Sequence, residues 1–113
     1  MKKKFLPAFK GLLLGIQDKS IRIQLIFTFI TLTIALILHA SLIELLFILS
    51  AIASVVITEM LNTCIEKVCD LYTKEKNEQV KNIKDLAAGT VLFSAIYAVC
   101  VASIIIFIHF GGK

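Results

Sequence analysis

The run IQLIFTFITLTIALILHASLIELLFILSAIASVVITEMLNTCI, Ile23–Ile65, holds no lysine or arginine across 43 residues. A helix crosses the ~30 Å hydrocarbon core of a bilayer in about 20 residues, so this run is twice a span and has to reverse once. Polarity rises for a few residues at His39-Ala40-Ser41, with Glu44 just beyond. That places the reversal there and predicts transmembrane helices over 23–38 and 42–68. A polar loop follows over 70–84, with four lysines and two glutamates, and a third apolar run over 86–110 makes the last transmembrane helix.

The composition agrees. Of 113 residues, 58% are hydrophobic and 18% charged, with a mean hydropathy of +0.92. The length allows one domain, residues 1–113. A soluble domain of this size buries only about two-thirds of its surface and cannot hide so many apolar side chains; lipid can accept them. A net charge of +4 is too small to imply a nucleic-acid partner, and none is expected. Three cysteines, Cys64, Cys69 and Cys100, form neither an even set nor a zinc pattern. Soluble enzyme, disulfide scaffold and DNA-binding module are excluded. The chain reads as an all-α integral membrane protein.

Residues 1–22 carry Leu6, Phe9, Leu12, Leu13 and Ile16 at helical spacing, with Lys2–Lys4, Lys10 and Lys19 among them. This predicts an amphipathic helix lying in the interface, since no small-residue cleavage site follows a suitable apolar core. Basic residues then set the orientation. Six precede the first span, and Lys67, Lys74, Lys76, Lys81 and Lys84 end the second or follow it, against Lys113 alone on the other side. The N-terminus and the 70–84 loop are therefore expected in the cytoplasm.

A carboxylate at membrane depth is costly and marks function by default. Glu59 lies about two turns from the basic end of the second span, and at 100° per residue Asn62, Glu66 and Asp70 fall within about 60° of it. Three carboxylates and an amide thus make one stripe running to the cytoplasmic surface, more than interhelical hydrogen bonding requires. Such a set suits Mg²⁺, which is held by one or two carboxylates plus substrate phosphates, and Glu59 suits a general base acting on a hydroxyl. Lysines 74, 76, 81 and 84 offer charge for phosphate, although a lysine-rich cytoplasmic loop needs no such role. Together these parts describe Mg²⁺-dependent phosphoryl transfer to a lipid alcohol. No GxxxxGK[ST], Gly-rich loop, HRD or DFG is present, so any nucleotide site is of another design.

Glu59-Met-Leu-Asn62-Thr63-Cys-Ile-Glu66-Lys-Val-Cys-Asp70, followed by Lys84-Asp85-Leu-Ala87-Ala88-Gly89, resembles the hallmark of the prokaryotic diacylglycerol kinase family, which includes the undecaprenol kinases of Gram-positive bacteria. The resemblance implies an ATP-dependent lipid kinase phosphorylating diacylglycerol or undecaprenol, built as a domain-swapped homotrimer with composite active sites. It also implies Glu59 as catalytic base, Glu66 as a metal ligand, and Asn62, Asp70, Lys84 and Asp85 in the nucleotide site. Asn77 falls where members often carry a histidine near the nucleotide.

Departures from the family pattern centre on Gln17-Asp18-Lys19-Ser20-Ile21-Arg22. With spacing to Glu59 kept, Asp18 takes the place of the second metal glutamate, one methylene shorter. Anchoring on Lys10-Gly11-Leu12 instead would put Lys19 there, which cannot bind a cation, so Asp18 is preferred. Ser20 replaces an asparagine, Gln24 a histidine common in Gram-positive members, and Cys64 an alanine. Asn-Thr in the motif leans toward the undecaprenol branch, while the missing histidine and asparagine lean away. His39 and His109 each stand alone near a membrane boundary, and Ala87, Ala88, Gly89, Ala95, Ala98 and Ala102 supply small residues for close packing. Two other readings stay open: a small proton-coupled transporter using Glu59, and a catalytically inactive relative serving assembly, to which Asp18 is the one pointer.

Overall fold

The structure, a computed structural model, describes residues 2–111, and for residues 2–4 the backbone alone. Lys113, the single basic residue expected on the far face, lies outside the described residues. Four helices follow in order: α1 (Lys2–Gln17), α2 (Lys19–Ile37), α3 (Leu42–Tyr72) and α4 (Glu78–Ile106), the last ending in a π-helical turn (Phe107–Gly111). No strand occurs among the described residues. The segments Lys19–Ile37, Leu42–Tyr72 and Glu78–Gly111 are long and apolar enough to cross a membrane.

The helices overrun the apolar runs. The interfacial segment expected over 1–22 is cut at Asp18, and α2 already begins at Lys19. The polar loop expected over 70–84 shrinks to five non-helical residues, Thr73–Asn77, because α3 continues to Tyr72 and α4 starts at Glu78. Polarity marks where lipid ends, whereas helices end where caps are. The 31 residues of α3 are about 46 Å long against a core of ~30 Å. Its last turns therefore stand clear of the hydrocarbon at the basic end.

Packing follows a seven-residue rhythm. The buried residues of α4 are Val80, Ala87, Ser94 and Val101. Along α3, Ile48, Ala51 and Cys69 are buried, with Val55, Thr58, Asn62 and Ile65 half-buried between them. On α2 spacings of three and four link Ile21, Gln24, Thr28, Leu32 and Ala35. A 3.5-residue repeat keeps one seam facing its neighbour along the whole length and gives left-handed crossings. Small side chains on that seam let backbones approach, the main source of attraction between helices in lipid. Polar side chains facing lipid or the seam bond their own helix, as Thr28 does to the Gln24 carbonyl at 2.8 Å and Thr58 to that of Ser54 at 2.9 Å. Ser50 and Tyr97 instead share a hydrogen bond across α3 and α4 at 3.1 Å.

At the far end the chain reverses through a Schellman motif. The Ala40 amide donates to the Ala35 carbonyl and the His39 amide to that of Leu36, with His39 at φ 58° in the left-handed region. Ser41 then caps α3 in a capping box with Glu44. His109 is not solitary: its Nε2 lies 2.9 Å from Glu44 Oε1, tying the end of α4 to the start of α3.

The left-handed conformation costs a residue with a Cβ about 1–2 kcal/mol, only partly offset by the greater unfolded freedom of glycine. His39→Gly is expected to raise stability by about 0.5–1 kcal/mol, read as a higher unfolding midpoint in detergent micelles.

Candidate active site at the basic end of the bundle

Glu59, Asn62, Glu66 and Asp70 occupy one face of α3 over its last three turns, the arrangement that their spacing anticipates. Glu59 and Asn62 are half-buried, Glu66 and Asp70 exposed. The Asn62 amide donates to Glu66 Oε1 at 3.1 Å, which orients both. Asn62 Oδ1 is left buried without a hydrogen-bond partner. An orphaned acceptor of this kind is costly unless a donor from outside meets it.

Asp18 stands at the break between α1 and α2. Its Oδ1 accepts from the Ser20 amide at 3.0 Å and the Ile21 amide at 3.4 Å, making it the N-cap of α2. Aspartate caps helices well because its short side chain folds back onto the first turn. The charges of Asp18 and Glu66 both reach Glu59, so α1–α2 brings a fourth carboxylate to the stripe. Close approach of α1 is made at Gly15, where a Cβ would sit 3.1 Å from Cε of Met60, the neighbour of Glu59.

The α3–α4 connection supplies the basic side. Lys84 reaches from α4 to Asp70 Oδ1 on α3 at 2.9 Å. Asp85, one residue round α4, pairs with Lys81 at 2.9 Å. Asn77 caps α4, its Oδ1 accepting from the Gln79 and Val80 amides at 2.9 and 3.1 Å. Its carbonyl is thereby committed, and its NH₂ alone can meet a ligand. Asn77, Lys81, Lys84 and Asp85 line one cavity of about 520 Å³ beside the loop.

A second cavity, about 390 Å³ and apolar, opens between α2, α3 and α4. Val55 and Val56 line it, and Val56 precedes Glu59 by one turn on the same face. Gln24 lines it too and leaves Oε1 buried without a partner. Sequence reasoning marked Gln24 only as a departure; its place on the inward seam of α2 was the signal available. The Glu44–His109 pair was missed because its partners are 65 residues apart.

Magnesium is the ion that such a site implies. Asp18 keeps Oδ2 and Glu66 keeps Oε2 free of these hydrogen bonds, a pair of hard oxygen donors. Among the described residues no three His, Cys, Asp or Glu side chains stand close enough to hold an ion by themselves. Two carboxylates completed by substrate phosphates is the usual arrangement for Mg²⁺, so the residues fit it.

Residues 7–106 match the family model described as prokaryotic diacylglycerol kinase. No curated protein gives a significant match to the chain. The match spans nearly the whole length, and the chain belongs to that family. It is a multi-pass membrane protein of a lipid kinase family.

The two demands on Asp18 can be separated. Asp18→Ala is expected to lower the unfolding free energy by about 1 kcal/mol, while Asp18→Asn, which keeps the cap acceptor, changes it by a few tenths at most. Thermal unfolding of both variants in micelles checks this.

Proposed function

We propose that this member of the prokaryotic diacylglycerol kinase family transfers the γ-phosphate of ATP to the primary hydroxyl of diacylglycerol or undecaprenol, with Glu59 as general base. The observation that carries the reading is the placing of the carboxylate stripe between an apolar groove, lined by Val55 and Val56 one turn before Glu59, and a lysine-bearing loop cavity, tied to the stripe by the Lys84–Asp70 pair. A lipid alcohol lies with its tail in the groove lined by Val55 and Val56, its hydroxyl brought up to Glu59, and Gln24 Oε1 accepts a hydrogen bond from its polar end. The nucleotide lies over the loop, where Lys84 faces its phosphates and Asn62, Asn77, Asp70 and Asp85 complete the contacts.

Glu59 takes the hydroxyl proton as the lipid oxygen bonds to the γ-phosphorus. The bond from that phosphorus to the β–γ bridging oxygen breaks, ADP leaves, and Glu59 releases the proton to water. Asp18 and Glu66 would hold Mg²⁺, which would supply neutralising charge to the nucleotide phosphates. The chain's own part is positioning: α3 holds base and ligand carboxylates in register, and the caps at Asp18 and Asn77 fix the helix starts that carry the remaining groups. The resemblance implies a homotrimer, its sites shared between neighbours. The eleven basic residues at one face support a cytoplasmic site at the inner membrane.

Glu59→Gln keeps shape and removes the base. Transfer of labelled phosphate from ATP to lipid is expected to fall by about 10²–10⁴-fold with the unfolding midpoint unchanged. Full activity in this variant would remove Glu59 from the reaction.

A further inference from the structure

We propose that Lys81 is a second phosphate-binding cation of the nucleotide site, held by Asp85 until the phosphate chain of the nucleotide arrives. This rests on the lipid-kinase reading and extends it to a residue which that reading leaves unused.

Helix stability gives no reason for a lysine at this position. Lys81 stands four residues into α4, which begins at Glu78, where the positive end of the helix dipole disfavours a cation. Its partner Asp85 lies four residues toward the C-terminus, and acid before base is the better order for such pairs. The 2.9 Å contact joins side chains that are 68% and 64% exposed. Pairs so open to water contribute little and exchange partners readily.

Lys84 is placed differently. It reaches across to Asp70 and braces α4 against α3, so part of its charge is spent within the protein. Lys81 and Lys84 are three residues apart and share a face of α4. Both line the 520 Å³ cavity with Lys76, among the carboxylates of Glu75, Glu78 and Asp85, so a phosphate there depends on the lysines that can turn away from those acids. Two of the backbone amides at the start of α4 are already taken, those of Gln79 and Val80 by the Asn77 side chain. The cation that meets an incoming phosphate must be a side chain. Lysine suits this as a compact charge on a rotatable stem. A phosphate oxygen replaces the Asp85 carboxylate at Nζ, with no covalent change.

The test compares the full chain with Lys81→Gln and Lys81→Arg in zwitterionic micelles, by direct binding of inorganic tripolyphosphate and by steady-state kinetics with ATP. Lys81→Gln is expected to weaken tripolyphosphate binding and raise KM for ATP on the order of tenfold, the loss of one charge-assisted contact. KM for the lipid and the unfolding midpoint stay as in the parent, and Lys81→Arg restores binding. Unchanged tripolyphosphate binding in Lys81→Gln, or none in the parent, overturns the inference. A rise in lipid KM with ATP KM unchanged overturns it too, since the cation would then serve a lipid. If the parent transfers no phosphate but loses tripolyphosphate binding in Lys81→Gln, the kinase reading fails and the phosphate site stands.

Discussion

The seven-residue seam between α3 and α4 is the contact on which the other features depend. It buries Val80, Ala87, Ser94 and Val101 against α3, and small side chains there bring the two backbones close. In lipid, where burying apolar surface drives little, close packing and interhelical hydrogen bonds must hold helices together. Polar ties punctuate the seam: Glu44 with His109 at one end, Ser50 with Tyr97 inside, Lys84 with Asp70 at the other. Because the seam fixes the rotation of α3, it also fixes the direction in which Glu59, Asn62, Glu66 and Asp70 face. Function is thus read from the same helix that carries the packing, with Asn62 belonging to both the seam and the stripe.

Most of the architecture was legible from two quantities, the absence of basic residues over Ile23–Ile65 and the helical angle between acidic positions. Both are local, and both reflect strong physics: the cost of charge in hydrocarbon and the fixed pitch of a helix. Boundaries were less legible. The polar stretch after Val68 looked like a loop because polarity ends the membrane, yet it continues as helix to Tyr72 and resumes at Glu78. Ser41-x-x-Glu44, Asp18 and Asn77 were all recognisable as cap residues, and weighing them would have placed the helix starts. Contacts such as Glu44 with His109 depend on how distant helices meet, which no local pattern carries.

Asp18 and Asn77 show how one residue answers two demands. Each spends one side-chain oxygen on a helix start and keeps other atoms for a ligand. At Asp18 the shorter side chain, a departure when judged as a metal ligand, is the better choice when judged as a cap. The orphaned oxygens of Asn62 and Gln24 make the complementary point. They are buried acceptors whose cost is recovered only when a donor arrives, one beside the carboxylates and one in the apolar groove, which is the division a kinase acting on a lipid needs.

The central claim is that this chain moves phosphate from a nucleotide to a lipid hydroxyl. Its most direct test is Mg²⁺-dependent transfer from γ-labelled ATP by the purified wild-type protein, with diacylglycerol and undecaprenol offered in separate micelles. The account predicts a labelled phospholipid from at least one acceptor, and none when Mg²⁺ is chelated. A folded protein that labels neither lipid would contradict it.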